Sequence, residues 1–546
     1  MTITRAPARQ RVRRAGGRLA CASAACAAVV ALAAPAEAAL TGGARLAAIY
    51  DHILQARFEV VDAGLNDACP PAPDEACKAL RVVSSWWQIL LDPESRERDR
   101  RFTEQANAAI VAAEAWTRRE PRRAEAWFYL AGSYAPLVNW RVLREERLAA
   151  ARDGKGIKDA LERALELDPT LNDAFFGIGL YHYLADVAPP AVKLLRWLLL
   201  LPGGDRVKGL KEILQARDNG ELLRGEADYQ LHLMYLWYER KPTEALALLE
   251  RLDERYGSNP LFLQRIALLQ TDYLHDHPAS AAVWETLLER ARAGRVSAAQ
   301  GAEVSARLGL AAELDAMFET DRAIDQLEAV INLNPTVPFG SRARAELQLG
   351  AAYDRLGHRD LALRAYAAAV SFAPAGDRQR LREHARVAIR TKPDARAADG
   401  YRLSLEAWRA FQRGAVDQAA LAIGGALALA PDDPLTLYRH ARVLEARGDD
   451  TAARQQLERV LAARPIASAV VLAPACVELA QLLERAGDRA RAIEMYRVAA
   501  EIAGGDPHAR DQAARALKRL GATNHARPTF FDKFCILCLT LLFSRP

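Results

Sequence analysis

The stretch Leu349–Pro374, LGAAYDRLGHRDLALRAYAAAVSFAP, decides how this chain folds. Small residues recur at Gly350, Ala362 and Ala369, and a leucine and two tyrosines lie among them. Two helices can pack very closely only where the facing residues are small, and large apolar side chains then fill the space beside these contacts. Pro374 cannot continue a helix and predicts the end of the second one. The stretch therefore predicts a tightly packed helical hairpin.

This spacing resembles the 34-residue tetratricopeptide repeat (TPR), in which successive hairpins stack into a solenoid. Similar spacing recurs in units that contain Leu310, Ala407, Leu437 and Leu479. Units before residue 300 are less regular, and the second helix expected after Tyr134 arrives about fourteen residues late. The sequence therefore predicts an all-α fold, a TPR-type α-α superhelix (solenoid) with divergent, insertion-bearing N-terminal repeats.

The chain divides into four predicted regions. They are a secretory signal peptide (1–38), divergent TPR-like helical repeats with insertions (39–300), a regular TPR array with a capping helix (301–521) and an apolar C-terminal tail (522–546). In the second region, Ala44–Val61 and Cys77–Leu91 are interpreted as one helical pair. His508–Leu520 is interpreted as the capping helix, because its outer side carries Arg and Lys.

The N-terminal segment has the composition of a secretory signal. Six arginines precede or begin an apolar stretch of small residues, and Ala36–Ala38 supplies a small-x-small cleavage site. The alternative is an uncleaved membrane anchor. Removal of residues 1–38 takes away six Arg and one Glu, which leaves 68 basic (74 − 6) and 68 acidic (69 − 1) residues. A mature chain without net charge has no global field for nucleic acid, so the sequence predicts a periplasmic or cell-envelope protein without a nucleic-acid partner.

Two cysteines flank a proline-rich loop. Cys69 and Cys77 are eight residues apart, and in an oxidising periplasm we expect them to form a disulfide. Closing such a short loop stabilises the fold by roughly 2–3 kcal/mol in the chain-entropy model. The alternative, two unpaired thiols, belongs to a cytoplasmic location.

An insertion at 188–201 is the most individual part of the first half. Its apolar run contains Lys193, Arg196 and Trp197 and is too short to cross a bilayer. Two interpretations stay open: the segment contacts a membrane surface or a partner, or it packs into the concave face of the solenoid itself. Asp205 is predicted to cap the helix that follows.

Three stretches resemble a family of bacterial exported TPR proteins. They are SWWQILLDP at 85–93, DAFFGIGLYHY at 173–183 and LPGGDR at 201–206, and the similarity extends over residues 45–265. The proline-led apolar segment and the GDR turn are also similar to the eukaryotic inclusion-body-clearance TPR family. These resemblances imply a helical solenoid and proximity to membranes or lipid bodies, and they imply no catalytic residue.

The polar motifs do not form a recognisable catalytic or metal site. Gly203–Gly209 lacks the spacing of a phosphate-binding loop and is interpreted as a corner between helices. His275 and His277 have no third ligand nearby in the sequence, and His182 is interpreted as a packed interior histidine. The sequence therefore predicts no enzyme, no metal and no cofactor.

Ligand contacts in a TPR array come from the first helix of each unit. The register predicts partner-binding positions at Arg344, Asp354, Tyr401, Trp408, Phe411, Tyr438, Arg442, Glu445, Gln481 and Glu484. The clamp of chaperone-tail TPR domains is not present, because the corresponding positions carry Leu347, Ala351, Tyr438 and Arg442. The mixture of aromatic, basic and acidic residues suits an extended or helical peptide, although Trp408 and Phe411 could equally pack against the next repeat.

The main functional hypothesis is a non-enzymatic scaffold for protein–protein interaction in the bacterial cell envelope. Its basis is the repeat register together with the signal peptide. The alternative is a membrane- or lipid-associated binding protein that uses the apolar insertion 188–201 and the C-terminal tail.

Overall fold

The structure, a computed structural model, describes residues 40–187, 203–463, 467–502 and 505–522. Within these ranges the chain forms 24 helices and no strand, and each helix packs mainly against its neighbours in sequence. The predicted all-α, TPR-type superhelix is therefore confirmed.

Twelve helices precede residue 300. They are α1 (Gly43–Leu54), α2 (Phe58–Ala68), α3 (Asp74–Leu91), α4 (Asp99–Arg119), α5 (Ala124–Leu143), α6 (Arg147–Leu167), α7 (Ala174–Val187), α8 (Arg206–Asn219), α9 (Arg224–Trp237), α10 (Pro242–Arg255), α11 (Pro260–Asp272) and α12 (His277–Arg292).

Twelve more helices continue the described part of the chain to residue 519. They are α13 (Ala299–Ala316), α14 (Thr320–Leu333), α15 (Ser341–Arg355), α16 (Arg359–Phe372), α17 (Leu381–Arg390), α18 (Ala395–Gln412), α19 (Val416–Leu429), α20 (Pro434–Ala446), α21 (Asp450–Ala462), α22 (Ala469–Arg485), α23 (Arg489–Glu501) and α24 (Pro507–Arg519). The last of them overlaps the predicted capping helix within one residue at each end.

Two details of the first half differ from the prediction. Ala44–Val61 forms not one helix but parts of α1 and α2, because buried Ala56 adopts a left-handed φ of 56° and ends the first helix. The extra residues between Tyr134 and the predicted second helix of its repeat do not form a long loop. They lengthen the hairpin itself, since α5 has 20 residues and α6 has 21.

The hairpin of the quoted stretch is formed by α15 and α16. A Cβ atom on Gly350 would lie 2.5 Å from the Tyr366 ring, so the two helices meet where only glycine fits. Tyr366 is buried, and its hydroxyl donates to Asp354 at 3.0 Å, which fixes the ring in this position. The close approach inferred from the sequence is present at this contact.

The hydrophobic core continues across the predicted boundary at residue 300. One cluster of buried side chains extends from Leu40 to Ala365, and a second cluster extends from Leu437 to Leu517. Smaller clusters lie between them, in the hairpin α18–α19 and its neighbours. The boundary at residue 300 therefore remains a prediction about repeat regularity, since the core does not end there.

Polar contacts connect the two large clusters. The Arg409 guanidinium on α18 donates to Asp321 at 2.8 Å and pairs with Glu319. Tyr401 hydrogen-bonds to Thr320 at 2.8 Å, and Arg439 donates to the carbonyl of Phe318 at 3.2 Å. The turn between α13 and α14 thus holds α18 and α20, and we call these contacts the polar junction.

A buried carboxylate joins three helices of the first half. Glu226 on α9 accepts a hydrogen bond from the Tyr50 hydroxyl on α1 and another from the Trp87 indole N–H on α3, both at 3.1 Å. Burial raises the pKa of Glu226 above its ordinary value, although these donors favour the charged form. The interaction orients α1, α3 and α9 and costs stability whenever Glu226 is ionised.

Replacing the close-packed glycine tests the hairpin contact. Gly350→Ala should lower the free energy of unfolding by about 1–3 kcal/mol, because the new methyl group overlaps the Tyr366 ring. Gly424→Ala on α19 is the matched control. No atom lies within 4 Å of its added methyl, so the higher helix propensity of alanine should raise stability by ~0.5–1 kcal/mol. Urea unfolding followed by circular dichroism measures both changes in the free energy of unfolding. If both substitutions changed stability in the same direction, the packing described for Gly350 would be contradicted.

Glu226→Gln should make the protein more stable at neutral pH. Since the folded-state pKa of Glu226 is raised, the folded chain takes up a proton more readily than the unfolded chain as the pH falls. The wild type should therefore gain stability as the pH falls from the raised pKa toward the ordinary value of 4.5, and the variant should lack this gain. Urea unfolding of both proteins between pH 8 and pH 4.5 measures the difference, with Glu254→Gln on the exposed side of α10 as control. If the free energies of unfolding of the wild type and Glu226→Gln differed by the same amount across this pH range, the role of Glu226 ionisation would be contradicted.

Candidate functional site

The predicted partner-binding residues lie on four helices. Arg344 and Asp354 are on α15, and Tyr401, Trp408 and Phe411 are on α18. The remaining five are on two later helices: Tyr438, Arg442 and Glu445 on α20, and Gln481 and Glu484 on α22. The helices α18, α20 and α22 are the first helices of consecutive hairpins.

Five of these residues line one cavity of about 610 Å³. Phe411, Tyr438, Arg442, Glu445 and Gln481 form part of its wall. The rest of the wall comes mainly from α22 and α24, including Glu478, His508 and Gln512. The repeat register predicts the five residues on α18, α20 and α22, but it does not predict that the capping helix α24 contributes to the wall.

A second cavity of about 650 Å³ shares Gln481 and Gln512 with the first. Its other lining residues include Glu484, Arg485 and Arg519. Because the two cavities share residues, they form a continuous depression across α20, α22 and α24, which we call the C-terminal groove. The role of its residues in binding stays a prediction.

One end of the C-terminal groove is aromatic. The Trp408 and Phe411 rings stack with centroids 5.2 Å apart, and Trp408 is 6.5 Å from the Tyr438 ring of the next hairpin. The buried Arg439 guanidinium lies 5.8 Å from the Trp408 ring. Both side chains therefore pack against the following hairpin, Trp408 through Tyr438 and Arg439 and Phe411 through the cluster that contains Val443, and Phe411 also lines the cavity.

The other end of the C-terminal groove carries ion pairs between successive hairpins. Arg442 donates to Glu478 at 2.5 Å, and Arg485 donates to Glu445 at 2.7 Å. Burial raises the pKa of the Glu478 carboxyl above its ordinary value, against the opposing effect of Arg442. Each of these pairs joins one first helix to the next and leaves charged atoms at the surface of the groove.

Four other predicted residues have partners within the chain. Arg344 donates to Gln379 at 2.9 Å, and burial lowers its pKa although the carboxylates of Asp92 and Glu94 favour its charge. Asp354 accepts hydrogen bonds from Arg359 at 2.6 Å and from Tyr366. Arg344 and Asp354 are half-buried and bonded within the chain, and their role in binding stays a prediction.

Tyr401 and Glu484 also bond within the chain. Tyr401 belongs to the polar junction through its hydroxyl. Glu484 accepts from the Tyr496 hydroxyl and from Arg519, both at 2.7 Å, at the edge of the second cavity. Glu484 thus lines the groove and stabilises the last hairpins at the same time.

The structure contains a disulfide between Cys69 and Cys77, whose Cα atoms are 6.5 Å apart. The bond joins the end of α2 to the first turn of α3 across the proline-rich loop. Lys193, Arg196 and Trp197 lie outside the described residues, as do the signal peptide and all but the first residue of the C-terminal tail. The membrane or partner contact predicted for the insertion therefore stays a prediction.

Gly204 packs directly against α7 just before α8 begins. A Cβ atom on Gly204 would lie 2.3 Å from the carbonyl oxygen of His182, which leaves no room there for a side chain. The Asp205 side chain accepts from the Lys208 N–H at 2.9 Å and caps α8, as expected. His182 is partly buried and pairs with Glu212 at 2.7 Å.

The segment that contains His275 and His277 also forms contacts within the chain. Asp276 caps α12, and His277 pairs with Glu313 at 2.7 Å. The described residues contain no group of three His, Cys, Asp or Glu side chains that could hold a metal ion. In the same part of the chain, no helix is both long enough and apolar enough to cross a bilayer.

Comparison with known proteins supports the repeat assignment. The sequence pattern of the tetratricopeptide repeat matches residues 435–465, which contain most of α20 and all of α21. This hairpin carries Tyr438, Arg442 and Glu445 of the C-terminal groove. Comparison with curated protein sequences finds no match.

Three solved structures are similar to the chain. A tetratricopeptide repeat protein from Parabacteroides merdae is 13% identical over 54% of this chain and 98% of its own, with a TM-score of 0.25. The TPR domain of P58(IPK) is 16% identical over 82% and 99%, with a TM-score of 0.22. Yeast Tom70 is 13% identical over 77% and 96%, with a TM-score of 0.23. These low values carry no argument about function.

Trp408→Ala distinguishes the two interpretations left open for this residue. Because Trp408 packs against Tyr438 and Arg439 of the next hairpin, its removal should lower the free energy of unfolding by about 2–3 kcal/mol. Phe411→Ala should also destabilise the fold, since Phe411 packs against the cluster of Ala410, Ala419 and Val443 as well as lining the cavity. Urea unfolding measures both, and a Trp408→Ala protein as stable as the wild type would assign Trp408 to ligand contact alone.

Proposed function

We propose that this protein is a non-enzymatic scaffold that binds a peptide segment of a partner protein in the bacterial cell envelope. The observation that carries the proposal is the C-terminal groove, which is lined by successive first helices α20 and α22 and closed by α24. A TPR-type solenoid presents extended segments with such a surface, because each hairpin adds one set of side chains along the same path.

The chemistry of the groove defines the kind of peptide. Phe411 and Tyr438 provide an apolar contact for one large aliphatic or aromatic side chain. Arg442, Glu445 and Glu478 offer charges of both signs a short distance along the groove. A segment with an apolar residue followed by charged residues therefore fits the groove better than a purely hydrophobic one.

Two observations support a location in the cell envelope. Residues 1–38 have the composition of a secretory signal. The disulfide between Cys69 and Cys77 suits an oxidising compartment such as the periplasm, since disulfides are rare in the cytosol.

Photo-crosslinking in living cells tests the proposal. A benzoylphenylalanine placed at Gln481, in the centre of the groove, should crosslink to a defined partner protein in the periplasmic fraction. The same residue at Leu421 is the matched control, because Leu421 is 82% exposed on the second helix of a hairpin, α19. In the double variant Tyr438→Ala, Arg442→Ala, the crosslink at Gln481 should fall at least about tenfold, since both residues line the groove.

Two results would contradict the proposal. Equal crosslinking at Gln481 and Leu421 would show a non-specific surface instead of a groove. A partner recovered only from the cytoplasmic fraction would exclude the cell envelope, even if the groove binds it.

A further inference from the structure

A different part of the molecule contains an apolar cavity of about 480 Å³. Its walls come from α1, α3, α5, α6, α7 and α9 and from the loop before α9, far along the chain from the C-terminal groove. The volume lies within the range of small-molecule sites, roughly 300–1,000 Å³. Most of the lining is aromatic or aliphatic.

The cavity has a closed end and an open end. Tyr50, Trp87 and Tyr129 line the closed end, and each is at most 4% exposed. At the open end, Leu184 is 44% exposed and Lys155 lies on the surface. A ligand can therefore enter with one end and become enclosed, as a chain-like molecule would.

Two glycines give the cavity part of its volume. A Cβ atom on Gly132 of α5 or on Gly154 of α6 would have no neighbour within 4 Å. Both glycines line the cavity, so it is the absence of their side chains that keeps this space open. Glycine inside a helix costs about 1 kcal/mol relative to alanine, and here no close helix contact requires it.

The polar groups of the cavity wall exclude a charged anionic ligand. Asp173 accepts three backbone N–H groups, from Glu221, Leu222 and Leu223, at 2.8–2.9 Å. Glu226 accepts from Tyr50 and Trp87. Both side chains have their donors within the protein, and the charge of the Asp173 carboxylate would repel an anion. At the open end, Lys155 pairs with Asp159 at 2.5 Å, so no excess positive charge attracts one.

One buried polar atom of the wall has no partner. The Tyr129 hydroxyl forms no hydrogen bond with the described residues, although Tyr129 is only 1% exposed. An unsatisfied buried hydroxyl costs about 1–3 kcal/mol, which a ligand oxygen could recover. Burial raises the pKa of Tyr129, so the hydroxyl keeps its proton and can donate it to such an oxygen.

We propose that this cavity binds a neutral single-chain lipid, a hydrocarbon chain that carries an uncharged oxygen accepting a hydrogen bond from Tyr129. The chain occupies the space left by Gly132 and Gly154 between the aromatic side chains. This site is separate from the C-terminal groove and does not depend on the peptide-binding proposal.

Displacement of the neutral fluorescent dye N-phenyl-1-naphthylamine tests the proposal on the full mature chain. The dye should bind, and 1-dodecanol should displace it at clearly lower concentration than dodecanoate, because the Asp173 carboxylate of the wall repels an anion. Gly132→Leu and Gly154→Leu should weaken dye binding at least about tenfold by filling the cavity.

A matched control lies on the same helix. Gly156 of α6 does not line the cavity, and its nearest neighbour would be a Tyr134 ring atom at 4.0 Å, so Gly156→Leu should leave dye binding unchanged. Tyr129→Phe removes only the unpartnered hydroxyl and should fold as the wild type does. It should weaken 1-dodecanol about threefold to tenfold and leave the dye unaffected.

Four results would overturn the proposal. The dye does not bind. Gly156→Leu weakens binding as much as Gly154→Leu does. Dodecanoate displaces the dye better than 1-dodecanol. Tyr129→Phe leaves the affinity for 1-dodecanol unchanged.

Discussion

The close approach of paired helices is the constraint on which the rest of this structure depends. At Gly350, a single added methyl would overlap the Tyr366 ring, and at Gly179 it would lie 2.8 Å from the backbone oxygen of Gly209. Such contacts bring the two helices of a hairpin together along one face of each helix. The other faces therefore point away from the hairpin contact. The faces that are not used for pairing become either the contact with the next hairpin or the surface of a groove.

The C-terminal groove follows from this geometry. Side chains on α20 and α22 that do not pack within their hairpins lie side by side, and they pair across hairpins, as Arg442 does with Glu478. The same ion pairs hold the register of the solenoid and supply charges to its surface. A residue such as Glu484, which bonds to Tyr496 and Arg519, therefore has a structural role as well as a place in the groove.

The N-terminal half also contains glycines with the opposite role. Gly132 and Gly154 lie in a long hairpin, α5 and α6, where no neighbouring atom needs their missing side chains. Two types of helical glycine thus occur in one fold. One type lets helices touch, and the other keeps a space open between them. In the divergent repeats, glycines of the second type line the apolar cavity, alongside close-contact glycines such as Gly179.

Local features of the structure could be predicted from the sequence because they depend on neighbours within one hairpin. The Gly350 contact and the Asp205 cap are of this kind. The break at Ala56 could not, since alanine gives no signal for a left-handed φ and the buried surroundings impose it. The charged neighbours of Arg344 include Asp92 and Glu94, about 250 residues earlier in the sequence, and no local pattern contains that information.

The participation of α24 in the groove was missed for a related reason. A capping helix is recognised by its polar outer side, which says nothing about the residues it turns toward the preceding hairpin. His508 is exposed and Gln512 is half-buried, and both line the cavity.

The polar junction makes one contact of the solenoid sensitive to salt. Apolar packing also joins the two large clusters, because smaller apolar clusters lie between them and Phe318 packs against the second one. To this packing the junction adds Arg409 with two carboxylates, a tyrosine hydroxyl and one arginine–carbonyl bond. Ion pairs near the surface weaken as salt screens them, so high ionic strength removes part of this contact and leaves the apolar part in place.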